Sequence, residues 1–340
     1  MKIKSLLFVM GLLTLSFAVQ AEELPAGKAM LWKQPTAKPQ ELDLFWGSGG
    51  EAQKPVGPFK FEKEDFNGSN PKVWVVDQRG VRWGVKFGNE VHSEVAASRF
   101  LWAAGYHTHD VYFVPEGIIQ GAKDLKRAGK EIDGTGHFKD ARFQKKISGP
   151  DIANVEEHFV GCNWDKNPFV GTQELSGLLL MNVLLANFDT KAVNNSVETV
   201  SYQNGQVENW YMVSDIGGTF GKSDFIALSR WNLKGYAAEP FMGNPSNKSL
   251  NLLFQGRQPK YFVSYPLEHA RWIEGLIGNL TRPQIEDAFR AAFSDVRVSR
   301  LANPEDEALV QGYADAFEKR LAGLHQALDK AAPLPPSKKE

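Results

Sequence analysis

The sequence predicts an α+β chain of two lobes, an antiparallel β-rich N-lobe followed by a mainly helical C-lobe. From Phe59 to Phe87, short runs of alternating or β-branched residues are separated by turn clusters, the pattern of consecutive antiparallel strands. From Gln173 on, long apolar stretches take over, and the last third of the chain reads as helices. At 340 residues the chain is also long for one hydrophobic core, so two lobes are expected on size alone.

Residues 1–21 have the form of a signal peptide. Lys2 and Lys4 are basic, Ser5 to Val19 is apolar, and Val19 and Ala21 are small residues placed for cleavage before Glu22. The run is shorter than the roughly 20 residues a membrane span needs, and no later segment is long and apolar enough, so no integral membrane segment is expected after cleavage. Cys162 is the single cysteine, which excludes an intrachain disulfide and favours a Gram-negative periplasm, with secretion as the alternative. The 39 basic and 40 acidic side chains nearly balance, which gives no electrostatic case for nucleic acid as a partner.

Residues 22–55, rich in Pro, Gly and Lys, read as an extended arm with one apolar patch at Leu42 to Trp46. The N-lobe (56–148) opens with strands at Phe59 to Phe66, Val73 to Val76 and Val81 to Phe87, separated by turns at Asn67 to Pro71 and Asp77 to Gly80. A helix from Val91 ends near Gly105. Val111 to Val114 reads as a strand closed by Pro115, residues 116–139 as a surface excursion, and Ala141 to Ile147 as a further strand ending at the hinge Ser148-Gly149-Pro150. The C-lobe (149–330) holds the apolar helix Gln173 to Asn187, then a hairpin of Val197 to Gln203 and Val207 to Val213 around Asn204-Gly205. Helices come next at about 266–278, 282–293 and 304–329. The tail (331–340) is expected to be disordered.

Polar residues recur in a telling order on these elements. Lys86 ends the third strand, and Glu94 lies on the next helix. Asp189, Lys191 and Asn194 come after the apolar helix as D-x-K-x-x-N, and Asp215 ends the hairpin in VSDIGG. Each is ordinary alone: a solvated lysine, a helix-surface glutamate, turn-forming Asp and Gly. Two other features carry weaker signals. His107 and His109 form an H-x-H pair beside Asp110 without an evident third metal ligand. Cys162 has no base or second cysteine nearby in sequence.

The ordered set resembles the protein-kinase-like superfamily, over about residues 55–225. NFDTKAVNN is similar to a kinase catalytic loop, Asp215-Ile216-Gly217 to the D-F-G element, and Lys86 and Glu94 to the strand lysine and helix glutamate. Asn187 two residues before Asp189, together with Glu94, Arg99-Phe100 and Gly105, places the likeness nearer the HipA-like and phosphatidylinositol-type kinases. The blocks VKFG, EVAASR, YFVPE, NPFVGT and VSDIGG are also similar to an exported bacterial family of unassigned function.

The resemblance implies a bilobal kinase-like fold and a phosphotransferase that moves a phosphoryl group from a Mg²⁺- or Mn²⁺-bound nucleotide, ATP or another, to a hydroxyl acceptor. Protein, lipid head group and sugar all stay open as that acceptor. It implies that Lys86, oriented by Glu94, holds phosphates, that Asn194 and Asp215 hold the metal, and that Asp189 and Lys191 serve catalysis. The turn Asn67, Gly68, Ser69 stands where a phosphate-covering loop would lie. The alternative is an envelope protein that binds a nucleotide or other ligand on this fold and transfers nothing.

Overall fold

A computed structural model describes residues 24–331, other than residues 36, 159–162, 224–227 and 247. The expected leader, Cys162 and all but the first residue of the expected tail lie outside the described residues. Among the described residues no helix is long and apolar enough to cross a membrane.

The arm opens with a short strand, β1 (Lys28–Met30), whose partner comes much later in the chain. The N-lobe then runs β2 (Phe59–Asp65), β3 (Lys72–Val76), β4 (Arg82–Lys86), α1 (Val91–Ala103), β5 (Asp110–Gln120) and β6 (His137–Lys145). β2, β3 and β4 form the expected antiparallel meander. β6 joins β4, β5 joins β6, and β5 returns parallel to β2, closing a barrel. Alternation dictates its filling, because every second side chain of a strand faces inward. Val73, Val75, Trp83 and Val85 are fully buried, and Phe59 packs on Phe143 with ring centres 4.6 Å apart. The turn between β3 and β4 is built by Asp77, whose Oδ1 accepts from the amides of Arg79 and Val81, both at 2.9 Å.

Pro115 does not close its strand. β5 runs on to Gln120 and its partner begins at His137, so the excursion is confined to the loop between them, residues 121–136. The ladder steps from Val114↔Ala141 to Glu116↔Lys139, skipping the proline, which has no N–H to donate. Its opposite number Asp140 takes a left-handed φ of 47°. The β6 strand also starts at His137 rather than Ala141 and stops at Lys145, short of Ile147.

The C-lobe carries β7 (Ile152–His158), α2 (Gln173–Leu184), β8 (Asn195–Tyr202), β9 (Val207–Val213), α3 (Leu233–Ala238), β10 (Ser249–Asn251), β11 (Ser264–Pro266), α4 (Leu267–Ile277), α5 (Arg282–Arg290) and α6 (Pro304–Lys330). α2 starts where Thr172 caps it, Oγ1 accepting from Leu175 N at 3.2 Å. It stops at Leu184, short of the expected Asn187. β8 and β9 are the expected hairpin, but they belong to a four-stranded sheet, β1-β9-β8-β7. β1 and β7 are strands the sequence did not signal.

The lobes are pinned together. Phe100 of α1 stacks on Phe317 of α6 at 4.2 Å. Ser93 Oγ donates to Gly217 O at 2.9 Å. The arm crosses both lobes: the apolar patch Leu44, Phe45 and Trp46 is buried, Arg99 donates to Phe45 O at 3.2 Å, and Gln284 of α5 donates to the carbonyls of Pro39 and Leu42 at 2.8 Å.

Candidate functional site

Strand register creates the charged centre. Lys86 on β4 is flanked by Lys72 on β3 and by Arg142 on β6, so three cations form one row on the barrel wall. Like charges side by side on a sheet repel, and anions must answer them. α1 supplies Glu94, and Glu90 stands just before it. Glu94 takes Lys86 with one carboxylate oxygen and Arg142 Nε with the other, the latter at 2.5 Å. Glu90, one turn earlier, accepts from Lys86 at 3.1 Å and also from Arg230. Burial alone would lower the Lys86 pKa, but Glu94, with Asp215 and Glu90, outweighs it and holds the ammonium above its usual range. Burial would likewise raise Glu94, and Arg142 and Lys86 hold it below its usual range. Lys72 is treated differently. Burial pulls its pKa down, and Lys86 and Arg142 pull the same way, against an Asp65 oxygen 4.0 Å distant.

The second half of the site comes from the C-lobe. After α2 the chain turns through Ala186, which has φ 50°. Asn187 organises the loop beyond it: its side-chain amide donates to Asn182 at 2.8 Å, and its oxygen accepts from Asp189 N at 3.2 Å. Lys191 Nζ lies 3.1 Å from Asp189 Oδ1. Asn194 donates its side-chain amide to the Asp189 carbonyl at 2.6 Å, while its own carbonyl accepts from Ser214 N and Asp215 N at 2.9 and 3.3 Å. Those bonds bring Asp215 to the barrel wall, with Oδ1 3.8 Å from Lys86 Nζ. Gly217 must be glycine here, because a Cβ would stand 2.7–2.8 Å from the Glu90 side chain.

Between the halves lies a cleft of about 490 Å³, lined by Lys72, Lys86, Arg142, Asn194 and Asp215 among others. The volume suits a small-molecule ligand. Asn67 and Gly68 line it too, whereas Ser69 does not. That turn is held from outside by Arg127, which donates to the carbonyls of Phe66, Gly68, Ser69 and Asn70.

The donor set fits a hard divalent cation at Asp215 and Asn194. Asp215 keeps a half-exposed carboxylate on the cleft, and Asn194, having spent its amide on Asp189, keeps its oxygen. Glu90, Glu94 and Asp215 also have oxygens within 4.8 Å of one another. Both glutamates, however, are already committed to Lys86, Arg142 and Arg230, so an ion among all three would have to displace those cations.

The structure therefore brings Lys86, Asn194 and Asp215 to one cleft, with Glu94 buried behind Lys86 and with Asp189 and Lys191 beside the cleft lining, on the loop that Asn194 anchors. Lys72, Glu90, Arg142 and Arg230 were missed in the sequence. The H-x-H pair does not converge. His107 stacks on Trp210 at 4.3 Å, whereas His109 turns to Glu198, Nε2 to Oε1 3.2 Å.

No family model and no curated protein matches the chain. Among solved structures it is similar to the proinflammatory kinase CtkA of Helicobacter pylori, with 13% identity over 81% of this chain and 98% of that one, at a TM-score of 0.46. It is similar to the Golgi casein kinase with Mn and ADP bound, with 11% identity over 82% and 73% of the two chains, at 0.35. HipA of Shewanella oneidensis MR-1, in a complex with HipB and operator DNA, matches with 13% identity over 82% and 68%, at 0.35.

Proposed function

We propose that the chain is an exported kinase-like phosphotransferase that transfers a phosphoryl group from a metal-bound nucleotide to a hydroxyl. The observation that carries this reading is the row Lys72–Lys86–Arg142 facing Asp215 and Asn194 across the cleft. It sets cations for phosphate oxygens opposite oxygen donors for a divalent metal. Phosphoryl transfer asks a protein for little more than positioning and charge neutralisation.

Lys86, held by Glu94 and Glu90, would bind phosphate oxygens next to the metal, and Lys72, the least compensated member of the row, would take another. The metal would neutralise charge on the phosphates. The bond from the terminal phosphorus to its bridging oxygen breaks, leaving a nucleoside diphosphate, and a bond forms from phosphorus to the acceptor oxygen. The acceptor's proton passes to Asp189. Lys191, 3.1 Å from Asp189, adds positive charge where the phosphoryl group moves.

Thermal unfolding with and without Mg²⁺, Mn²⁺ and nucleotides tests the reading. Nucleotide at a hundred times its dissociation constant should stabilise the fold by about 2.7 kcal/mol, a melting shift of several degrees. The shift should need the metal. No shift with any nucleotide and either metal would remove this function. Export is tested by the N-terminus of protein recovered from the cell envelope, which should be Glu22.

A further inference from the structure

The cleft continues past the charged row, toward the segment that joins the lobes. Arg142, Gln144 and Lys146 all line it. Alternate residues of an extended chain share a face, so Lys146 stands about 13 Å beyond Arg142, comparable with the reach from a nucleotide's phosphates to its base. Trp74 and Gly84 flank this stretch as register partners. A Cβ on Gly84 would touch the Trp74 ring at 3.4 Å, and the Arg82 guanidinium lies 4.3 Å from the ring centre. The bare glycine beside a braced indole makes a flat wall against which a planar ring can lie.

The C-lobe sheet closes this end with an unusual pair. Glu157 on β7 and Glu198 on β8 are direct cross-strand partners, so their carboxyls stand side by side, and both line the cleft. Burial and the Glu157 charge push Glu198 up to about 7, against Lys146, and burial raises Glu157 as well. His109 meets one oxygen of Glu198, Nε2 to Oε1 3.2 Å, but it does not neutralise the pair. It is 8% exposed, burial pulls its pKa down to about 4, and its Nδ1 has no hydrogen-bond partner among the described residues. A sheet gains nothing from two like carboxyls set opposite each other, so a ligand is the better account of them. Together they offer acceptors and, when one proton is shared, a donor beside an acceptor.

Building on the nucleotide reading of the cleft, we infer that Glu157 and Glu198 select the base by accepting hydrogen bonds from its exocyclic amine, with the adjacent ring nitrogen bonded to the same pair. Adenine presents an amine beside a ring acceptor, and guanine an amine beside a ring N–H. Both suit a carboxyl pair that holds one proton. Hypoxanthine has a similar shape but lacks the amine, so it leaves a buried carboxyl oxygen without its donor. Loss of such a partner is worth about tenfold or more in affinity.

Calorimetry at fixed Mg²⁺ with ATP, GTP and inosine triphosphate makes the test, on the wild type and on the double variant Glu157→Met, Glu198→Met. Methionine keeps length and removes the charged oxygens; glutamine would restore a donor beside an acceptor. The wild type should bind ATP or GTP at least tenfold more tightly than inosine triphosphate, and the variant should bind all three within about threefold. The variant's own melting temperature confirms that it folds. Equal wild-type affinity for all three nucleotides would overturn base selection while leaving the cleft's function standing, as would full discrimination retained by the double variant. No binding by any of them would remove the nucleotide reading and this inference together.

Discussion

Asn194 donates its side-chain amide to the backbone carbonyl of Asp189 at 2.6 Å, so one residue steadies the loop of the expected base while keeping its own oxygen for the cleft. Its carbonyl also accepts from the amides of Ser214 and Asp215. The loop after α2 and the end of the hairpin are therefore tied together, and Asp189 and Asp215 are placed relative to each other by a single asparagine.

That arrangement separates the two expected metal ligands. Asp215→Ala removes an anionic ligand and should abolish metal-dependent nucleotide binding, while Asn194→Ala, which removes a neutral one, should weaken it less. Asn194→Ala should also slow any transfer beyond its effect on binding, because it frees Asp189. Calorimetry with and without Mg²⁺ checks the first point. Equal affinity in wild type and Asp215→Ala would take the metal role from Asp215.

The charge cluster predicts a contrast in stability. Glu94 is buried and serves both Lys86 and Arg142. Glu94→Gln leaves two buried cations short of an anion and should cost about 3–5 kcal/mol in urea unfolding. Glu62, in the partly exposed pair with Arg82 at 2.5 Å, should cost no more than about 1 kcal/mol as Glu62→Gln. Equal losses would mean that the cluster is no more than a surface network.

Glu198 gives a pH signature with a definite sign. Its pKa is about 7 in the fold, raised by burial and then by Glu157, from an ordinary 4.5. Between those values the unfolded chain releases a proton that the fold retains. The group's contribution is therefore full below about 4.5 and is lost as pH rises to about 7. His109 opposes it: burial holds its pKa near 4 against an ordinary 6.5, so its stability is present above 6.5 and lost as pH falls to about 4. Comparison with Glu198→Gln isolates the first effect. The variant should gain about 2–3 kcal/mol relative to wild type between pH 5 and pH 8. A pH-independent difference would contradict the burial of this carboxyl.

Much of this was legible in the sequence, and the rest fails for identifiable reasons. β2, β3, β4, α2 and the β8–β9 hairpin each carry their own period, cap or turn. β1 is only Lys28–Met30, too short for a period, and most of β7 is exposed or half-buried; each is a strand only because a neighbouring edge receives it. Pro115 was read as a terminator by local chemistry, but a skipped rung at Asp140 absorbs it. At the site, Lys86 and Glu94 stood out only through their order along the predicted strand and helix and through the family resemblance. Lys72 and Arg142 join them only through register, which the sequence does not display. Glu90 sits midway between Lys86 and Glu94 and could have been noticed, but an acidic residue at a helix start has an ordinary explanation in the helix dipole. Its partner Arg230 is 140 residues away. The Glu157–Glu198 pair is likewise invisible until the two strands meet.

Asp189 offers the most direct test of phosphoryl transfer. The wild type and Asp189→Asn should be incubated with metal and nucleotide, alone and with an envelope extract, and phosphate incorporation followed by mass spectrometry. As a base that meets the acceptor rather than the nucleotide, Asp189 should leave the nucleotide-induced melting shift unchanged when replaced, while transfer falls by about 10²–10⁴-fold. A wild type that shows the melting shift yet labels nothing, with either metal and any acceptor offered, would contradict the account and leave a binding protein in its place.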